Sequence, residues 1–470
     1  MKHTVKKGLA MLIALAMLIS CAACAAQSGT QDDAAQKTSA DVIVVGAGLS
    51  GLVAAYQSAQ LGAKVILFEQ SGAVGGSSRY AGGYVSGANT KLQKDAGVKD
   101  SPELAYQDMI NIGGAGNFKP ELAWMHVQRA GELVDWIVDH LGIELSEPGY
   151  GAYTPTNVLR VYQTKTGGIE FANVLKEKVN ECVEKGSITL LLNTKVESLT
   201  NDGSGAVNGV VANGVTYSAK SVILATGGYG YNREWVERYN FKHSRSSAPT
   251  TAIGSGYDLA ESQGASFSNM EYLPAYPGAV DTNEDTYSVT VTANTNGWSG
   301  AIWVDKNGSR MVDEVDFTVA ARQAAWENAE DNYVFILFTK EMRDSAEAPL
   351  FDVDAKSGSW ERFDKELEEG YCVFSASSIE ELATKAGISA EGLSATIEKY
   401  NADVKAGKDS AFGRTKNLMP FEGDTFYAVR TVPYILLTKG GVDISTAAEV
   451  LRADGSKVEG LYACGELIGG

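Results

Sequence analysis

Three glycines spaced GxGxxG, Gly46, Gly48 and Gly51, stand in "DVIVVGAGLSGLVAAYQSAQLGAKVILFEQ", and the acid Glu69 closes the same stretch. Glycines so placed permit a tight turn, close approach of backbone to a pyrophosphate, and close packing of a helix on a strand. The start of that helix attracts phosphate charge, and an acid about twenty residues on is placed to accept hydrogen bonds from a ribose. The chemistry this predicts is dinucleotide binding. A second glycine run follows at once, "GAVGGSSRYAGGYVSG", from Gly72 to Gly87. Gly76, Gly82 and Gly83 let the backbone lie along a bulky ligand, and Ser77 and Ser78 add hydroxyls. A simple nicotinamide fold would pass into another helix and strand here, so the cofactor expected is FAD.

These residues need elements that bring them together. Val42 to Val45 is an apolar run suited to a buried parallel strand, a helical pattern runs from Ser50 to Leu61, and a second strand from Lys64 to Phe68 ends on Glu69 with Gln70 beside it. Much later "SVILATGG" leads a strand into a glycine turn at Ala225, Thr226 and Gly227, and "GLYACGE" does the same at Gly465 and Glu466. Three returns to one ligand site define an α/β fold built on a Rossmann-type FAD-binding domain. Between the last two returns the patterning shifts to helices, Thr318 to Asn328, Ile379 to Ala386 and Glu391 to Lys405, around a strand from Tyr333 to Phe338. A helical insertion with one sheet suits a lid that excludes water.

Composition narrows the function. The chain has 470 residues, 44% hydrophobic, and a formal net charge of −18, which argues against nucleic-acid binding because phosphate neutralisation needs clustered Lys and Arg. Lys2, Lys6 and Lys7 precede an apolar run from Gly8 to Ile19, the pattern of a secretory signal peptide over residues 1–20. "LISC" resembles the bacterial lipobox, which makes Cys21 the expected lipid-bearing residue, with a cleaved signal and ordinary cysteines as the alternative. Residues 21–40 read as a flexible tether, and the expected location is extracytoplasmic, on the bacterial cell membrane. Cys182, Cys372 and Cys464 are spaced too widely for a metal site and read as buried apolar residues. His126 and His140 fall on helix-surface positions, and His243 sits in a basic loop.

The chain resembles the flavoprotein superfamily of soluble fumarate reductases, urocanate reductases and 3-ketosteroid dehydrogenases from Asp41 to Gly470. The matching stretches, in order, are the GxGxxG unit, "GGSSRYAGG", "SPELAYQDM", "NTKVESL", "ILATGGYGYN", "GSGYDLAESQGA", "GAIWVDKNGSRMVDE", "YNADVKAGKDSAFGR", "TKGGVDIS" and "GLYACGELIGG". Val196 and Asp258, in the fourth and sixth, join the candidate cofactor residues. The resemblance implies FAD and an α+β capping domain inserted over 277–422, between the first (41–276) and second (423–470) parts of the FAD-binding domain. It also implies a further helix after the "GE" turn, preceded by a substrate-gripping Arg, so the sequence is expected to be a piece of a longer reading frame.

The sequence departs from the family where substrate is held. The Arg that donates a proton in fumarate reductases lies eight residues after the one resembling Arg310, and counting through "RMVDEVDFT" lands on Thr318. The upstream relay falls on Ala293, Asn294 and Gly297, the substrate His on Tyr276, and a second His on Leu436 or Leu437. A desolvated dicarboxylate without cationic partners is costly, so fumarate is not the expected substrate. The replacements suit an enone, an aryl-acrylate or a steroid-like ring. Tyr276 becomes the candidate for polarising a carbonyl or relaying a proton, with a hydrogen-bonded core tyrosine as its alternative. Arg322, four residues past Thr318, is the fallback acid unless it is a solvated surface Arg. Arg310 and Glu314 read as structural.

Three functions follow. The leading one is an FAD enzyme that reduces an activated C=C bond by hydride transfer from flavin N5, fed by a separate flavin protein, haem protein or quinone-linked donor. A dehydrogenase of ketosteroid type and a non-catalytic ligand-binding lipoprotein are the alternatives.

Overall fold

The computed structural model describes residues 38–114, 118–151, 156–239, 241–293, 300–315 and 319–469. The signal segment, Cys21 and the tether up to residue 37 lie outside the described residues. Thr38 to Ala40, expected as the end of the tether, already belong to the fold. Ser218 N–H donates to Thr38 O at 2.8 Å and Ala40 N–H to Ser218 O at 3.0 Å.

Five short apolar runs form a parallel sheet in the spatial order Lys457–Ala463, Ser221–Leu224, Val42–Val45, Val65–Phe68, Ile188–Leu191, with Glu449–Leu451 antiparallel at the outer edge. Numbered along the chain this is 5-4-1-2-3, the doubly wound arrangement in which the order of strands reverses between the first and fourth. The central strands Val42–Val45 and Val65–Phe68 read as continuous hydrophobic runs because both faces are covered. Val44, Leu67 and Ile188 pack with Leu52, Ala55, Leu175 and Val179 of the helices Leu49–Gln60 and Gly168–Glu184. Ile43, Val45, Ile66 and Phe68, one residue out of phase, pack instead on Val207, Val210, Ala212 and Tyr217. The latter four belong to an antiparallel meander, Val196–Asn201, Val207–Ala212 and Val215–Ser218. Burying each aliphatic side chain contributes about 1.5–3 kcal/mol.

The second core belongs to the cap. Phe426–Ile435 is its central strand, paired antiparallel with Val334–Thr339 over six residues and with Val373–Ala376 and Ala275–Val280. Helices Val319–Asn328, Ile379–Ala386 and Ala390–Lys405 fall close to their expected ranges. Ser378 and Ser389 cap the last two by accepting from the N–H groups of Glu381 and Gly392. The expected cap limit at residue 422 divides the sheet from its central strand. Phe426 to Val429 pack in the cap core while Ile435 packs in the nucleotide core, so one strand serves both. Four buried charges brace the cap: Arg310 donates to both carboxylate oxygens of Glu314 and of Asp409, and Arg414 to Glu314 at 3.1 Å.

Among the described residues no helix is long and apolar enough to cross a membrane, and no group of three or more His, Cys, Asp or Glu could hold a metal ion.

Candidate active site

The crevice lies outside the carboxyl ends of the first and fourth strands, where open α/β sheets bind ligands. Gly46 follows Val45 at φ 99°, and a Cβ there would stand 2.5 Å from the Ala225 carbonyl oxygen. Only glycine lets the two strand ends approach so closely. A Cβ on Gly51 would stand 1.8 Å from Gly46 O, so that glycine sets the packing of the helix on the turn. Gly48 has no side-chain cap and no acid in the first helical turn beside it, which leaves the first N–H groups and the helix dipole to a ligand anion.

Glu69 closes the opposite wall and is 8% exposed. Its Oε2 accepts from Ala47 N–H at 2.9 Å, and its Oε1 accepts from Ser71 N–H at 2.9 Å and Ser71 Oγ at 2.8 Å. The carboxylate therefore clamps the glycine turn to the end of the second strand and still borders the crevice. Gln70 reaches across to Thr251 O at 3.2 Å. Glu466 enters from the last strand, and its Oε1 accepts from Thr438 N–H at 2.9 Å and Thr438 Oγ1 at 3.3 Å. Burial raises the Glu466 carboxyl above its ordinary value, against the pull of the Thr438 donors.

Of the candidate cofactor residues, Gly46, Gly48, Ser50, Glu69, Gln70, Gly76, Ser77, Ser78, Val196, Ala225, Thr226, Gly227 and Glu466 line this crevice, which holds about 850 Å³ including its solvent-open part. Gly51 and Gly465 lie beneath the wall, the latter because a Cβ at φ 79° would meet Ser50 Oγ at 2.4 Å. Gly82 and Gly83 lie outside the lining, and Gly83 packs on Thr164 and Gly167. Asp258 does not face the crevice: Ser255 and Leu259 of its helix do, while the Asp258 carboxylate accepts from Trp235 Nε1 at 3.2 Å. Ser71, Thr194, Lys195, Thr251 and Ala252 also line the crevice. Thr194 and Lys195 stood beside Val196 in "NTKVESL", whereas Thr251 and Ala252 carry no spacing signal.

These residues fit FAD. A Cβ on Gly48 or Gly227 would meet nothing within 4 Å, so open space reaches the backbone at both. Thr226 lines the same wall, with its hydroxyl buried against Gly256.

Toward the cap, Tyr276 lies on Ala275–Val280 directly across from Tyr434. Leu436 is 41% exposed and Leu437 half-buried. Thr318, Asn294 and Gly297 lie outside the described residues. Arg322 is on the helix Val319–Asn328, with its side chain outside the described set. His140 Nε2 lies 3.0 Å from Tyr56 OH, and His243 stacks on Tyr333 with its Nδ1 3.0 Å from Asp331 O.

A family model described as FAD binding domain matches residues 41–470, and the chain belongs to that family. It is similar to NADH:fumarate oxidoreductase of Klebsiella pneumoniae (strain 342), 33% identical over 97% of this chain and 47% of that protein, so it spans about half of that relative's length. It is 31% identical to urocanate reductase of Eggerthella lenta over 92% of this chain and 70% of that protein. A solved structure of the open conformation of a flavocytochrome c3 fumarate reductase aligns at TM-score 0.65 and 30% identity, covering 94% of this chain and 76% of that one. The protein is an FAD-dependent oxidoreductase of the fumarate reductase family, acting on CH–CH bonds.

Proposed function

We propose that this protein reduces a C=C bond conjugated to a carbonyl in a substrate less charged than fumarate, with electrons from a separate donor. The observation carrying this reading is that Tyr276 and the leucines Leu436 and Leu437 stand where the resemblance places carboxylate-gripping histidines. FAD, when bound, supplies the hydride. The chain's own residues must then orient the alkene, polarise its carbonyl and deliver one proton to the α carbon. Tyr276 carries a phenol that can donate to the carbonyl oxygen, and the cap supports water exclusion above it.

Tyr276→Phe tests the assignment. A positioned acid contributes about 10²–10⁴-fold to rate, so kcat for an enone should fall at least about 10²-fold with KM little changed and the flavin spectrum intact. An unchanged kcat would remove Tyr276 from the chemistry, and failure to find any saturated product would remove the reductase reading.

We also propose that the chain is anchored outside the cell membrane through a lipid on Cys21, supported by the basic start, the apolar run and "LISC". Labelled palmitate should be incorporated by the natural chain and not by Cys21→Ala.

A further inference from the structure

Tyr276 and Tyr434 are direct partners on antiparallel strands, their ring centroids 5.6 Å apart and their planes 26° from parallel. Leu436 follows the last residue of Tyr434's strand and is 41% exposed. Two residues further, Thr438 donates to Glu466 on the crevice wall. Ile435 O accepts from Ser247 N–H at 2.9 Å and Ala248 N–H at 3.2 Å, in the segment leading to Thr251 and Ala252 of the same crevice. The tyrosine pair is therefore fastened to the cofactor crevice from two directions.

Two arginines near this pair, among the described side chains, are already engaged. Arg245 is Tyr434's partner on its parallel side. Its guanidinium donates to Asp281 Oδ1 at 3.4 Å, to Thr282 O at 2.5 Å, to Glu284 O at 3.2 Å and to Thr286 O. Arg430 donates to Asp281 Oδ2 at 3.0 Å and lies over the Tyr333 and Tyr371 rings. Neither is left to grip a carboxylate. Burial and the neighbouring Tyr276 raise the Tyr434 phenol, which keeps it neutral.

We propose that Tyr434 and Leu436, with Tyr276, form a flat apolar wall that selects carbonyl-conjugated alkenes that also carry or belong to a planar ring, such as aryl-acrylic amides or cyclic enones. Tyr434 is then a specificity-determining residue, and the wall rests on the reductase reading above. A third ring added to an offset stack gains about 0.5–1.5 kcal/mol beyond its buried area. A dicarboxylate against the same wall would be desolvated without a charge from Arg245 or Arg430 to compensate it.

The test is calorimetric titration of the FAD-loaded full chain with three saturated probes that cannot turn over: 3-phenylpropanamide, 3-cyclohexylpropanamide and succinate. The phenyl compound should bind about tenfold more tightly than its puckered counterpart, with no binding of succinate. Tyr434→Leu should abolish the phenyl preference, and Tyr434→Phe, which keeps the ring and guards against a folding artefact, should retain it. Equal affinities in the natural chain, no binding of either ring compound, or a preference that survives Tyr434→Leu would overturn the wall. Reduction of cinnamamide is followed separately. A phenyl preference without reduction keeps the wall and removes the reductase reading, whereas reduction without the preference does the reverse.

Discussion

Thr438 N–H donates to Glu466 Oε1 at 2.9 Å, and through that bond the strand leaving the cap is fastened to the turn that closes the cofactor crevice. Gly228 makes room for it, because a Cβ there would lie 2.2 Å from Thr438 Oγ1 and 2.4 Å from Glu466 Oε1.

The bond carries a pH dependence. Burial raises the Glu466 carboxyl above its ordinary value of 4.5. An acid whose folded pKa is raised favours the fold fully below its unfolded pKa and loses that contribution as pH rises through the folded value. Glu466→Gln keeps an acceptor for Thr438 N–H and does not titrate. Its Tm relative to the natural chain should therefore climb as pH rises from 4 to 8, and a flat difference would show that the carboxyl is not raised.

Gly46→Ala should abolish FAD retention. The added Cβ would meet Ala225 O at 2.5 Å, a backbone atom that cannot swing aside, at a φ of 99° that alanine rarely adopts. Overpacking of this kind costs about 1–3 kcal/mol, and it falls where the first and fourth strands must part for the ligand. Flavin absorbance after purification reads the effect, and a natural flavin content in the variant would contradict it.

Asp409→Ala should destabilise the cap by about 3–5 kcal/mol, because it leaves Arg310 buried with one carboxylate in place of two. Urea titration followed by tryptophan fluorescence checks this, since Trp303 and Trp326 lie in the cap core. A loss below about 1 kcal/mol would mean that water reaches the site.

The cofactor crevice was legible in the sequence where backbone conformation dictates residue type. Gly46, Gly48 and the acid at Glu69 announce themselves by spacing, since no other side chains permit the same turn and approach. Contacts made through the tertiary fold leave no such mark. Thr251 reaches the site from a loop far along the chain, and nothing local distinguishes it. Asp258 shows the converse, an acid in a matching stretch whose helix turns it toward Trp235. The strand Phe426–Ile435 blurred the cap boundary because one continuous strand runs from one core into the other. Tyr434 went unnoticed beside Tyr276 because their pairing is a matter of strand register, across 158 positions of sequence.

Anaerobic single-turnover oxidation of the reduced flavin would decide whether the chain reduces ring-conjugated alkenes in preference to dicarboxylates. The loaded chain is reduced under argon and mixed in turn with cinnamamide, a cyclic enone and fumarate, while flavin absorbance is followed. Rapid reoxidation by the first two, with saturated product and with fumarate inert, is the predicted result. Reoxidation by fumarate at a rate equal to or above theirs would contradict it.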